Sequence, residues 1–221
     1  MIGVYHGKVV IPLVSLTVAL AVAVLTSACE SRYKQFSNIQ GTAHFRFECP
    51  ADLAEDLRVV GQGAVQGSVA DGVMIFLTRR VAKDGWIERG LGIEAVRPLS
   101  TDNVHDARSK FDWDIAIMRK TAPGTQLLER VPIVVDGNAG EQILLQWDFS
   151  SLGPLPSNLQ KGTPQGPTLM MTTRAAYFDR QGFIWVISMM ADGSRGAAED
   201  SKRDFEHVIR TFKILPLAGG N

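Results

Sequence analysis

The chain has 221 residues, with 23 Lys and Arg against 23 Asp and Glu and therefore no formal net charge. That balance gives no reason to expect nucleic acid as a partner, and no basic block suggests electrostatic capture by anionic lipid. Behind the N-terminal apolar run described next, the length suits one domain with a sizeable core, and the composition is that of an ordinary globular protein.

The first element is an uninterrupted apolar run, residues 9–25 (VVIPLVSLTVALAVAVL), closed by Leu25-Thr26-Ser27-Ala28-Cys29. This ending reads as a lipobox. A diacylglyceryl group attaches to a thiol, so position 29 must be Cys, and small Ser27 and Ala28 suit the peptidase that cuts before it. Residues 1–28 are then a lipoprotein signal peptide and Cys29 the lipidated first residue of a palmitate-bearing protein. A second reading treats 9–25 as a short transmembrane helix near the lower limit for spanning a hydrocarbon core of about 30 Å. Lys8 is the only charge before the run, and Thr26 stands where Leu is usual. Against an anchor, no Lys or Arg follows the run until Arg32, where a stop-transfer segment normally ends in basic residues. Either reading makes the globular part extracytoplasmic, in a cell membrane or an outer membrane. Glu30, rather than Asp, after the Cys disfavours inner-membrane retention in a double-membrane envelope.

Of the two cysteines, Cys29 is claimed by lipid and Cys49 is left alone. A Cys29–Cys49 disulfide would leave no thiol for an anchor. A lone thiol without a nearby His or second Cys is a poor nucleophile, so Cys49 reads as a small buried hydrophobe.

Residues 29–41 are polar and aperiodic, which predicts a tether, and the domain is expected over 42–215 with a tail at 216–221. Alternation at 44–48 predicts a strand ended by Pro50, and 57–60 predicts a second. Gly61, Gly63, Gly67 and Gly72 predict a turn before two more strands at 73–77 and 91–96. Ser100 to Asn103 offer cap oxygens for a helix whose apolar face is Val104, Ala107, Phe111, Ile115 and Met118, with Arg119 and Lys120 at its C-terminal end. Two hairpins follow, 130–135 with 141–149 around 136–140, and 168–178 with 183–190 around 179–182. Between them, residues 150–167 form a long loop with four prolines and three glycines, in which Leu152, Leu155 and Leu159 are candidate partner-binding anchors. A second helix begins near Ser194 and buries Ala198, Ser201, Phe205, Val208, Ile209 and Phe212, and 211–215 reads as a closing strand. Strands joined mainly by hairpins, with two principal helices, make the class α+β.

No catalytic signature of the nucleophile-elbow or zinc-protease kind occurs, nor an EF-hand loop. Gly61-x-Gly63-x-x-x-Gly67 lacks both the spacing and the following Lys of a phosphate loop and reads as a turn. His44, His105 and His207 lie on separate elements without zinc spacing, and no metal or cofactor is expected. His105-Asp106 and Asp112-x-Asp114 read as a solvated helix face, and His207 as a half-buried surface residue. Trp86, Trp113, Trp147 and Trp185 fall one per element, as core packing does. Met170-Met171 and Met189-Met190 are expected to face each other across the second hairpin as core filling rather than as copper ligands.

Short matches in a fixed order carry a resemblance. Phe45-x-Phe47-x-x-Pro50, Val134-Val135-Asp136-Gly137-x-x-Gly140, Arg174 to Phe178 with Gly182-Phe183-x-Trp185, and Asp204-Phe205-x-x-Val208-Ile209-x-Thr211-Phe212 together resemble the PsbP-like fold over about residues 42–215. That fold is an α/β/α sandwich with a mainly antiparallel sheet. It is named for the extrinsic photosystem II subunit and also occurs in a Ran-binding nuclear import factor and many bacterial lipoproteins. The aromatic usual after the first Pro is absent, and Leu53 or Leu57 would have to serve. The resemblance implies a non-catalytic module that binds or helps assemble other proteins, here another envelope protein, and it names no particular partner. The rival is an envelope hydrolase or small-ligand carrier with His105, Asp112, Asp148 and Arg174 around one cleft.

Overall fold

A computed structural model describes residues 32–39, 42–53, 57–62, 71–80, 87–98, 103–148, 170–193 and 198–216. Its strands in chain order are β1 (Tyr33–Asn38), β2 (Phe45–Pro50), β3 (Leu57–Gln62), β4 (Asp71–Arg80), β5 (Ile87–Arg97), β6 (Gln126–Val135), β7 (Asn138–Asp148), β8 (Met170–Arg180), β9 (Phe183–Asp192) and β10 (Lys213–Ile214). The helices are α1 (Ala107–Thr121), between β5 and β6, and α2 (Ala198–Thr211), between β9 and β10. Seven strands form an antiparallel sheet in the order β3-β4-β5-β9-β8-β7-β6, and β1-β2-β10 form a smaller one.

The strands of the large sheet alternate between two apolar faces, as a period of two requires of a layer covered on both sides. Trp185, Ile187 and Met189 of β9, with Ala176 and Phe178 of β8, join Phe205, Val208, Ile209 and Phe212 of α2 and Phe45 and Phe47 of β2 in one core. Val186, Ala175, Tyr177, Ile143, Leu145 and Trp147 join Phe111 and Ile115 of α1 in the other. The result is the expected α/β/α sandwich. Aromatic packing closes the first core. Phe45, Trp185 and Phe212 lie 5.6 Å apart pairwise by ring centroid, within the range that favours edge-to-face and offset contacts.

Both hairpins close with two residues at positive φ, Asp136-Gly137 and Gln181-Gly182, the geometry whose twist matches antiparallel strands. Gly140 is demanded by β8. A Cβ there would lie 2.3 Å from the Tyr177 carbonyl oxygen and 2.8 Å from the Phe178 Cβ.

Several expectations need correction. Residues 33–38, read as part of the tether, form β1, whose six residues pair antiparallel with all of β2. The compact unit accordingly begins at Tyr33, and Phe36 packs against the core. The first helix is capped by Asp106, not by Ser100 to Asn103. The Asp106 carboxylate accepts from the Ser109 N–H at 2.7 Å while the Ser109 hydroxyl accepts from the Asp106 N–H at 2.9 Å. Gly61 and Gly72 lie within β3 and β4 instead of in a turn. The four methionines do not meet across the hairpin, because the register sets Met189 opposite Arg174 and Met190 opposite Thr173. Trp147 and Trp185 are core residues, but Trp113 is 39% exposed on α1, with the Lys110 ammonium 5.3 Å from its ring centroid. Leu53 is fully buried and belongs to the core beneath α2. Cys29, the segment 1–28, Trp86 and the loop 150–167 with Leu152, Leu155 and Leu159 lie outside the described residues.

Candidate functional site

Three polar constellations rest on this frame. The first joins β5, α2, β1 and the turn after β2. Arg89 points from β5 into the core and donates one guanidinium nitrogen to Asp204 and another to Asp52. Asp204 is fully buried in α2 and also accepts from the Tyr33 hydroxyl at 2.9 Å. A buried charge of either sign is tolerable only when paired and hydrogen-bonded, so the cluster bolts four segments of chain together. Cys49 lies within its field. Burial first, and then the charges of Asp52 and Asp204, push its thiol up to about 12. It remains a protonated core residue, free of any disulfide, and no nucleophile at neutral pH.

The second constellation lies on the outer face of the small sheet. Tyr33 stacks on the His207 ring at 3.6 Å, and His207 Nε2 meets Glu48 Oε2 at 2.6 Å. Thr211 Oγ1 accepts the Glu48 backbone N–H at 3.0 Å, covering the edge of β2 where the two-residue β10 gives out. Beside it opens a pocket of about 360 Å³ lined by Gln35, Arg46, Phe47, Glu48, Thr211 and Lys213. Arg46 and Lys213 are direct cross-strand neighbours, a like-charge pairing that costs stability unless relieved. Asp136 relieves it, holding Lys213 Nζ at 2.9 Å.

The third constellation is buried between α1 and the large sheet. Lys110 Nζ contacts Asp114 at 2.7 Å and Glu94 at 3.3 Å, and the Tyr177 hydroxyl donates to Asp114 at 3.1 Å. One cation thus serves two carboxylates. Burial raises the Glu94 pKa above its ordinary 4.5, opposed by the Lys110 charge and reinforced by Asp114. Burial, and then the neighbouring Asp114, raises that of Tyr177 as well. Because Glu94 holds its proton more tightly folded than unfolded, its stabilising contribution is complete below the unfolded value and is lost as pH rises through the folded one. Glu94→Gln should therefore unfold at a higher temperature than the parent at neutral pH, with the gap closing in acid. A gap independent of pH would show that Glu94 does not titrate in this way.

The residues proposed for a catalytic cleft are not brought together. His105 is exposed beside the start of α1, and that end is fastened by the Ala107 N–H, which donates to Asp179 near the C-terminal end of β8. Asp148 pairs with Met170 at the opposite end of the same sheet. Nine residues of strand, about 30 Å at some 3.3 Å each, separate those ends. Arg174 lies midway, 3.5 Å from Glu129, and Asp112 is exposed on α1. Asp106 is committed as a cap, its carboxyl held below the ordinary value by the Ser109 hydrogen bonds. Among the described residues no group of three or more His, Cys, Asp or Glu is placed to hold a metal ion. The candidate surface is instead one for contact, comprising the pocket on the small sheet and the exposed apolar side chains Trp113 and Ile117 of α1 and Leu127, Leu128 and Val134 of the edge strand β6. The Arg89 and Lys110 networks escaped sequence reasoning, since partners such as Arg89 and Asp204 lie 115 residues apart and share no local motif.

No protein-family profile and no curated protein matches the sequence. Solved structures do. The solution structure of the cyanobacterial PsbP protein (CyanoP) from Synechocystis sp. aligns with a TM-score of 0.50 at 11% identity, covering 85% of this chain and 95% of that one. The Ran-binding protein Mog1p of Saccharomyces cerevisiae aligns at 0.47 and 12%, covering 82% and 95%. LpqN of Mycobacterium tuberculosis, described as involved in cell envelope biogenesis, aligns at 0.39 and 11%, covering 87% and 97%. At these identities the likeness is one of fold, and the fold is PsbP-like.

Proposed function

With the PsbP-like fold as its frame, we propose that the chain is a lipid-anchored, extracytoplasmic module of the cell envelope that works by binding or assembling another envelope protein, without catalysis. The observation that carries this reading is the lipobox at 25–29, three residues ahead of the first strand of a folded domain. Its partners are then the membrane, through lipid on Cys29, and a protein. Two things support binding over chemistry. The ionisable side chains that meet in the interior are bound to one another as fold-holding networks, and the exposed features are a polar pocket and scattered apolar side chains suited to contact. The anchor is the part to test first. No helix among the described residues is long and apolar enough to cross a membrane.

Cys29→Ala should abolish incorporation of labelled palmitate and leave the precursor uncut at this site, read by intact mass and by membrane fractionation. A variant that still matured to a chain starting at residue 29, with unchanged membrane retention, would remove the lipoprotein reading. The leucines 152, 155 and 159 are part of the same proposal, as anchors of a partner. The strands bracketing their loop end at Asp148 and resume at Met170, and Met171 and Asp192, then Ala191 and Arg89, continue that end of the sheet across to the Arg89 network.

A further inference from the structure

Three residues, Glu30, Ser31 and Arg32, separate Cys29 from β1. Four residue steps extend at most about 14 Å at roughly 3.3–3.6 Å each. A polar headgroup layer takes up about 5–7 Å of that reach, half the difference between a bilayer of about 40–45 Å and its core of about 30 Å. The large sheet is far longer than what remains. Its strands β7 and β8 have 11 residues each, about 36 Å at some 3.3 Å per residue.

The two ends of the domain are chemically distinct and can be told apart by contacts. At the Tyr33 end, β1 starts opposite Pro50, the Tyr33 hydroxyl reaches Asp204, and Arg89 ties Asp52 to the α2 helix. The exposed side chains of the early turns of α2, Glu199, Asp200, Lys202 and Arg203, carry charges of both signs. At the other end, Lys213 and the Ile214 N–H are held by Asp136 in the β6–β7 turn, and the β8–β9 turn lies at Gln181-Gly182. The small sheet and the large one therefore run from the same end to the same end.

We propose that the domain stands end-on at the bilayer, with the Tyr33 end, comprising the Ala51–Leu53 turn and the early turns of α2, resting on lipid headgroups. This rests on the Cys29 lipid reading. The exposed charges of the early α2 turns, of both signs, suit contact with headgroups of either net charge. The short tether, not an electrostatic patch, sets the orientation. Both hairpin turns then point away from the membrane, the pocket on the outer face of the small sheet opens sideways to an extracytoplasmic partner, and the ends of β7 and β8 at Asp148 and Met170 lie on the membrane side.

The test uses the full lipidated protein in phosphatidylcholine vesicles doped with a headgroup-quencher lipid. Lys202→Cys at the near end and Arg180→Cys at the far end, both exposed, each take a fluorophore; Cys49 is buried and Cys29 is blocked by its lipid. Quenching should be several-fold stronger at 202 than at 180. Ten Gly and Ser residues inserted after Arg32 should largely remove the difference. Equal quenching at the two sites in protein whose intact mass confirms the lipid would overturn the orientation while leaving the anchor standing. A difference that survives the insertion would overturn the tether as its cause. An intact mass without lipid would instead remove the anchor, and the orientation with it.

Discussion

Arg89→Met should cost about 3–5 kcal/mol, because it removes the guanidinium that Asp204 contacts at a fully buried position. The Tyr33 hydroxyl still donates to Asp204 at 2.9 Å, but a neutral donor does not replace the cation of a buried ion pair. For a domain of this size each kcal/mol moves the thermal midpoint by about 2–4 °C, so a fall on the order of 10 °C is expected. Replacing both members, Arg89→Met with Asp204→Leu, removes the charges together and should recover most of the loss, since apolar substitutes for a whole buried pair are often neutral. Asp52 is less affected, with its side chain 36% exposed to solvent. A single variant within about 0.5 kcal/mol of the parent, the range of ordinary surface changes, would mean that Arg89 does not hold these segments together.

Phe205→Ala is expected to cost a similar amount by a different route. The ring is fully buried where α2 meets the large sheet, among Phe45, Phe47, Trp185 and Phe212. Its loss removes transfer free energy and leaves a cavity that two rigid sheets and a helix collapse around poorly, typically about 3–5 kcal/mol for a core Phe. Denaturant unfolding should show a lower midpoint with an unchanged slope, because the folded surface stays the same. An unchanged midpoint would place this face of α2 against solvent.

The second of these effects was readable in the sequence and the first was not. Phe205, Val208 and Phe212 recur at helical spacing, so their shared face followed from periodicity alone. Alternation likewise marked β2, and Asp-Gly and Gln-Gly marked both hairpin turns. The order of these pieces was enough to suggest the PsbP-like sandwich. Strand β1 was hidden because only Phe36 of its six residues joins the core, and the other five read as linker. Its existence depends on the whole length of β2 waiting for a partner, which is a tertiary fact. The α1 cap was misplaced because Ser100, Thr101, Asp102 and Asn103 are all good cap residues, while the reciprocal bonds of Asp106 with Ser109 select a later start. The charge networks are assembled from strand, helix and turn positions far apart in the chain, where single Arg, Lys, Asp and Glu residues look like ordinary surface. Their burial appears only once α1 and α2 close over the sheet.

The central claim is that this domain acts through a protein partner at the membrane that holds it. Crosslinking in the native envelope, followed by mass spectrometry, tests it most directly, comparing the parent with a chain in which residues 155–165 are replaced by a short Gly/Ser connector. The replacement should leave folding nearly intact, since halving or doubling a loop changes closure by only about 0.6 kcal/mol. The account predicts one reproducible extracytoplasmic protein crosslinked to the parent and lost from the folded, still lipidated variant. A parent that crosslinks to no other protein, in membranes where its lipid and its fold are both verified, would contradict it.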